Sequence, residues 1–586
     1  MNDIRRTILW VIFGFSMVLL WDQWQIHQGN PATFFPPQKA ASSMETTNAS
    51  NTANANKSQA VEVKDASIPT ASIPAQAFPP SPGARSTEVP LSQSGDQRAD
   101  HPQRQRVVVQ NDVLKLTVDT EGGVVVKSEF LKHDDLTQSR QPFVLLDQSR
   151  ERVYVSQTGL IPSAGGAALP NHKTLMSALP GDGAIKDGQD AVTLTLSSPV
   201  VGGLQLLKSY TLRRGSYAVE VQHTVENKGA ESVEPQLYLQ LVRDGNKPAG
   251  ESEFYSTFTG PVVYTDAKKY QKAEFSDIEK NKQEIEKTSS NGYVGMVQHY
   301  FASAWLLAEG IKRELFMRKV DQNLYAVGMI TPLGVLPAGA SVKADSKLFV
   351  GPQEEKLLES LSPGLELVKD YGWLTILAKP LYWLLDQLNL LIDNWGWSIV
   401  ALVVLLKLAF YWLNAKAYAS MAKMKAINPK VMEMRERLKD KPQQMQQEMM
   451  RIYREEKVNP LGGCLPIAIQ IPFFIALYWV LLSSVEMRNA PWILWITDLS
   501  NKDPYYILPL LMTVTTVLQT WLNPTPPDPM QAKLMWIMPL AFSVMFFFFP
   551  SGLVLYWITN NVLSIAQQWV INTRMGVPPQ FNLPKF

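Results

Sequence analysis

From Val107 to about Gly351, apolar residues recur at every second position. Leu114/Leu116/Val118, Val192/Leu194/Leu196, Tyr217/Val219/Val221 and Leu237/Leu239/Leu241 each alternate with polar neighbours. A period of two puts alternate side chains on one face of a strand. Turn signals at Glu121-Gly122-Gly123, Arg214-Gly215 and Asn227-Lys228-Gly229 separate the runs, so the spacing predicts an antiparallel β-sandwich over 106–351. The charged stretch Glu274–Lys287 reads as a helix or loop excursion. His223 falls in phase with the apolar residues of its strand, which predicts a buried, hydrogen-bonded histidine rather than a catalytic one.

Beyond Pro352 the period becomes helical. Glu354–Ser360 and Leu365–Asp370 predict two short helices split by Pro363-Gly364. In Trp373–Ile392, the residues Thr375, Lys379, Tyr382, Asp386, Asn389 and Asp393 recur at spacings of three and four. One polar stripe opposite Trp, Leu and Ile describes a helix lying in a membrane surface, so 352–393 is read as linking helices ending in an interfacial amphipathic helix. Five apolar runs follow, at about 396–415, 461–482, 505–522, 534–549 and 552–571, each near the length of a membrane span. A sixth, Ile8–Trp21, follows Arg5 and Arg6 and ends in Trp21-Asp22-Gln23-Trp24 rather than in a small-residue cleavage site. It is therefore read as a retained anchor over 1–27. Residues 28–105, rich in Ala, Ser, Asn and Pro, predict a disordered tether.

Lysine and arginine orient these six spans. The loop 417–460 holds Lys423, Lys425, Lys430, Arg435, Arg437, Lys439, Lys441, Arg451, Arg454 and Lys457, whereas 483–504 holds only Arg488 and Lys502. The basic loop is expected inside, with the N-terminus and the tail 573–586, and the sandwich outside. If Trp373–Ile392 also spanned, the basic loop would fall outside; the interfacial reading avoids that. Within 394–572, the loop 417–460 reads as a helical hairpin whose Met421, Met424, Met432, Met445 and Met449 serve as a seam between its arms and as an adaptable partner surface.

Composition narrows the chemistry. The lone cysteine, Cys464, rules out a disulfide framework, and a net charge of +2 does not suit a nucleic-acid protein. There is no phosphate-binding loop motif and no dinucleotide fingerprint. The five core runs contain no His, Asp or Glu, so neither an intramembrane protease nor a metal site has its residues. They do contain Lys407, about nine residues before Lys416, or roughly 13 Å along a straight helix. A charge at such depth costs about 2.5–3.5 kcal/mol even on insertion scales and usually marks function. Only neutral groups can meet it: Asn560, Asn561, Ser564, Gln567 and Gln568 in the last run, Thr513, Thr516 and Gln519 in the fourth, Gln470 in the third. A cationic lysine among uncharged polar groups implies a hydrated cavity within the bilayer.

The stretches NWGWSIVALVVLLK (394–407), KAYASMAKM (416–424), EEKVNPLGGCLPIAIQIPFFIALYWVL (455–481), DPYYILPLLM (503–512) and DPMQAKLMWIMP followed by FFPSGLVLYWITNN (528–561) resemble the YidC/Oxa/Alb family of membrane-protein insertases, in its Gram-negative form. The resemblance implies an inner-membrane protein with a periplasmic β-supersandwich and a five-span core, whose groove opens to cytoplasm and lipid and is closed toward the outside. Lys407 stands where the family usually has arginine and keeps the charge without the guanidinium fork. Trp557 stands beside Tyr556 where many relatives have a second tyrosine, and the long basic ribosome-binding tail of some relatives is missing. The function implied is insertion and folding of nascent membrane proteins, without covalent chemistry, nucleotide hydrolysis, metal or cofactor. Lys407, Gln470, Thr516, Gln519, Tyr556, Trp557, Asn560 and Ser564 would form the groove. Cys464, Ile467, Phe473, Met535 and Met538 would form the slide into lipid. The expected partners are nascent membrane proteins, the ribosome and the lipid bilayer, with the Sec translocon as an optional one and no sequence-specific nucleic acid. The competing expectation is a polytopic transporter of a small anionic solute. A sugar-processing role for the sandwich would rest on fold resemblance alone.

Overall fold

The computed structural model describes residues 104–135, 141–163, 166–248, 257–438, 441–456, 465–523, 529–574 and 576. The anchor and all but two residues of the tether expected over 28–105 lie outside them, as do Cys464 and most of the tail. Among the described residues the chain falls into two compact units, which meet in sequence between Asp370 and Tyr371.

The alternation over 106–351 folds into two antiparallel sheets of ten and nine strands. In strand Leu204–Arg213 every second residue from Leu204 to Leu212 is buried, and in Ala218–Asn227 the buried set is in step with it. These neighbours pair so that His223 lies opposite Lys208. The sheets face one another, since Tyr154 and Ser303, from different sheets, share a 2.6 Å hydrogen bond, and Trp305 Nε1 donates to the Gln240 carbonyl at 3.3 Å. The charged excursion contains helix α1 (Phe275–Glu279), and α2 (Glu355–Leu361) follows the last strand. Gly364, at φ +78°, then turns the chain into a 3-10 turn at Leu365–Val368.

One layer between the sheets is polar. Lys208 is wholly buried, and its Nζ donates to the carbonyls of Gly122 at 2.6 Å and Thr158 at 2.7 Å. Tyr210 donates to the Gly123 carbonyl at 2.6 Å, and His223 Nε2 lies 2.9 Å from Thr158 Oγ1. His223 is thus the buried, hydrogen-bonded histidine that its phase predicted. Gly122, at φ +72°, has no room for a side chain, because a Cβ would lie 2.1 Å from the His172 carbonyl oxygen.

The second unit is helical: α3 (Thr375–Ile392), α4 (Trp395–Ala409), α5 (Tyr411–Arg437), α6 (Pro442–Glu455), α7 (Leu465–Ser483), α8 (Ile507–Leu522), α9 (Pro529–Met545) and α10 (Ser551–Arg574). Its core joins Ala378 and Leu385 of α3, Ile399 and Leu402 of α4, Leu477 and Val480 of α7, Met512 of α8 and Leu555 of α10. The segment between α7 and α8 packs over one end. Asn394 caps α4 by accepting from Trp397 N at 3.0 Å, and also donates to the Pro491 and Trp492 carbonyls. Asp503 accepts from Leu508 N at 2.7 Å and Trp495 Nε1 at 3.0 Å, while Gly552 N donates to the Leu499 carbonyl at 2.9 Å.

Two expectations change. Among the described residues no single helix is long and apolar enough to cross a membrane, although α4 and α5 together pass that test across a 68° bend. At 15 residues, α4 reaches roughly 22 Å of a ~30 Å hydrocarbon core. The 24 residues of α10 suffice in length but include the Asn/Gln stripe, which lowers its hydropathy. The bend also ends the straight helix assumed for Lys407. It lies two residues before the last residue of α4 rather than nine before the end of a continuous span, and the hairpin begins as helix at Tyr411 rather than at Ala417.

The polar layer makes the sandwich sensitive to acid. Burial, and then the nearby Lys208, hold His223 and His172 down at about 3, against 6.5 for a free histidine. Burial lowers Lys208 from 10.5 to about 7. With all three folded-state values depressed, protons favour the unfolded chain. The histidine contribution is complete above pH 6.5 and is lost as pH falls toward 3. Between pH 7 and 4.5 each histidine should remove roughly 2–3 kcal/mol, read as earlier urea exposure of peptide 204–227 in hydrogen exchange on the intact protein. His223→Gln should flatten that slope. A urea midpoint constant over this range would show that the buried histidines do not govern acid stability.

Candidate functional site

Helix α10 carries a stripe of uncharged polar side chains, Asn560, Asn561, Ser564, Gln567 and Gln568, that reaches three other helices. Toward α4, Ser564 Oγ accepts from Lys407 Nζ at 2.8 Å and itself donates to the Asn560 carbonyl at 2.7 Å. Toward α8, Asn561 Nδ2 donates to Thr516 Oγ1 at 3.1 Å and Thr515 Oγ1 at 3.3 Å. Two turns on, Gln568 Nε2 donates to the Leu522 carbonyl and to Asn523 Oδ1 at 3.3 and 3.2 Å. Toward α5, Gln567 Nε2 donates to the Tyr411 carbonyl at 3.4 Å. Three buried polar atoms, Asn560 Oδ1, Gln568 Oε1 and Tyr556 OH, have no hydrogen-bond partner among the described residues.

Lys407 is half-buried and lies at a cleft of about 250 Å³ between α4 and α10, walled by Val404, Leu408, Leu563 and Val570. The lysine is therefore polar at its tip, through Ser564, and apolar along its stem. Such an arrangement lets a long cationic side chain occupy an apolar bundle without a counter-ion.

The other expected groove residues divide into two groups. Thr516 and Asn560 join the α10 network, and Gln519 is half-buried on the same helix as Thr516. Tyr556 and Trp557 belong instead to an aromatic cluster with Phe474 and Phe546, in which the Trp557 and Phe546 rings meet edge-on at 5.6 Å. Gln470 meets α5: its Nε2 donates to Asn414 Oδ1 near the start of that helix. Asn414 had no place among the expected residues, and its only signal in the sequence was polarity at the end of an apolar run. Of the slide residues, Phe473 packs edge-on against Phe410, Met535 is half-buried and Met538 is exposed. Cys464 and the Ile467 side chain lie outside the described residues. In the hairpin, Met421, Met424, Met445 and Met449 are half-buried, Met434 is buried and Met432 exposed. Lys430 ties the two arms through Glu456 at 2.6 Å.

Comparison with known proteins identifies the chain. Residues 106–384 match the family model described as the YidC periplasmic domain, and residues 387–577 match that of the 60Kd inner membrane protein. The chain is 52% identical to the membrane protein insertase YidC of Cupriavidus necator, with 98% of each chain covered. It belongs to the YidC family of membrane protein insertases. The YidC of Ralstonia nicotianae is likewise 52% identical and that of Bordetella pertussis 48%, each with 98% of both chains covered. A solved active YidC insertase, with its first transmembrane domain resolved, is 18% identical at a TM-score of 0.36, covering 80% of this chain and 92% of its own. The protein is thus a membrane protein insertase of YidC type, with a β-sandwich periplasmic domain and a helical C-terminal region. The small-anion transporter is not favoured.

In this insertase, Ser564→Ala removes the acceptor for Lys407. Loss of a hydrogen bond to a charged group should lower insertion of a polar-tailed client about tenfold at unchanged protein level. Thr515→Val should be silent, because Asn561 keeps its shorter bond to Thr516. Protease protection of the client, with blotting of the insertase, measures both; equal insertion by Ser564→Ala and wild type would remove Ser564 from the site.

Proposed function

We propose that this YidC protein inserts clients through a hydrated, positively charged groove built on Lys407 and the α10 stripe, open to cytoplasm and lipid. The observation that carries the reading is the Lys407–Ser564 hydrogen bond at 2.8 Å, made in helices that contain no acidic residue. Asn560 and Gln568, each one helical turn from Ser564, keep unused hydrogen-bonding capacity, which water or a passing polar segment would satisfy. The client's short outer segment rests there while its apolar helix moves along Phe473, Met535 and Met538 into lipid. Burial of about 20 apolar residues supplies the driving force, and the groove lowers the barrier for the polar flank. No bond is made or broken, and no nucleotide is consumed.

The topology that goes with this reading has six spans, the first being the N-terminal anchor, with both termini and the hairpin cytoplasmic. The 68° bend between α4 and α5 then marks where the chain leaves the membrane for the basic hairpin. Helix α3 suits the periplasmic surface. Ile376, Trp383 and Leu390, spaced by seven, are exposed, while Ala378, Leu381 and Leu385 face the bundle. Its Tyr382 donates to Glu486 Oε1 at 2.5 Å, in the segment that the charge rule places outside. Clients would come from the ribosome through the methionine-bearing hairpin, alone or beside the Sec translocon.

Substitutions at Lys407 test the groove. Lys407→Arg should stay near wild type, because charge and hydration persist. Lys407→Glu should impair insertion most, by repelling acidic residues in the translocated segment. Lys407→Leu should accumulate at least as well as wild type, having lost an intramembrane charge worth a few kcal/mol, yet fail first on clients with acidic tails. Normal insertion of acidic-tailed clients by Lys407→Leu would show that the lysine merely snorkels.

The orientation is tested by single cysteines in a Cys464→Ser background. Positions Ser484 and 107–350 should react with an impermeant reagent in spheroplasts, and Gln443 should not. Outside labelling of Gln443 would reverse the orientation and make α3 a span.

A further inference from the structure

Between α4 and α5 the chain turns by 68°, and contacts from two other helices hold the turn. Phe410, at the turn, packs edge-on against Phe473 of α7 with ring centroids 5.0 Å apart. Gln567 of α10 donates to the Tyr411 carbonyl at 3.4 Å. One turn into α5, Asn414 Oδ1 accepts from Gln470 Nε2 of α7, and both side chains are more than nine-tenths buried, at 6% and 8% exposure.

This amide pair is incompletely satisfied, for Asn414 Nδ2 is buried with no acceptor among the described residues. Two leucines would fill the space without leaving a donor unmet, so the fold by itself gains little from amides here. A hydrogen bond between helices supplies what apolar packing does not: it is directional and fixes where along each helix the two meet. Lys407 precedes the turn by three residues, so the angle at which α5 departs sets how the hairpin stands beside the lysine cleft.

We propose that Asn414 and Gln470 are a positioning pair for insertion: their hydrogen bond locks the base of the hairpin to α7 and so sets the width of the groove on its hairpin side. The proposal rests on the groove reading above. In it, Gln470 acts on the client through Asn414 and α5 rather than by touching the client itself.

Three full-length variants decide it: Asn414→Leu, the double Asn414→Leu/Gln470→Leu, and the exchanged pair Asn414→Gln/Gln470→Asn. Lys407→Leu is run in parallel. Protease-protected client is measured at matched insertase level, using a client with a polar translocated tail. The single and double leucine variants should insert about fivefold more slowly than wild type, and the exchanged pair should recover to within twofold. An exchanged pair as slow as the double leucine, or a double leucine as fast as wild type, overturns the positioning role. So does failure of the double leucine to accumulate, which would assign the pair to bundle stability. If Lys407→Leu is also indifferent for this client, the groove reading itself fails. If Lys407 matters and the amide pair does not, only the present proposal falls.

Discussion

A lysine set among apolar helices that carry no carboxylate must be met by neutral oxygen atoms, and among the described residues one face of α10 answers that requirement. Ser564 accepts from Lys407, and the same face of α10 supplies amides that bind α8 and the first turn of α5. Neutral partners matter chemically. A buried carboxylate would hold the ammonium in a closed ion pair, and breaking such a pair costs several kcal/mol. A hydroxyl holds it less tightly than a carboxylate would.

The periplasmic sandwich solves a related problem in the same way. Lys208 is buried between the sheets, and carbonyl oxygens, those of Gly122 and Thr158, accept its hydrogen bonds. There the result is rigidity rather than access. Its carbonyl bonds tie a tight turn of one sheet to a strand of the other, and the neighbouring histidines are held neutral by burial. One lysine is enclosed between sheets; the other lines a cleft.

Polar and apolar groups are segregated in this bundle. The α10 stripe concentrates hydrogen-bonding groups on one face. Exposed apolar residues such as Leu405, Ile537 and Val544 cover outward surfaces of α4 and α9. The sharp turn at Phe410 separates the lysine-bearing helix from the basic hairpin.

Much of this was legible in the residues themselves. Period-two alternation determined the sandwich, because a strand with one buried face must place apolar groups at every second position. The apolar runs, the motifs and the asymmetry of basic loops pointed to the family and to a lysine without an acid. Lys208 could also have been found, since it lies in phase with Leu206 and Tyr210. What the sequence left open is which neutral group each amide or ammonium meets. Ser564 is 157 residues from Lys407 and Gln470 is 56 from Asn414, and several candidates of equal chemistry lie on the same helices. The straight run through Phe410 likewise gave no sign of its bend, for Leu, Ala, Phe and Tyr continue an apolar helix as readily as they break one. Only tertiary packing decided these points. Hydrogen bonds between helices depend on rotation and separation to within about an ångström, and local residue pattern carries no such information.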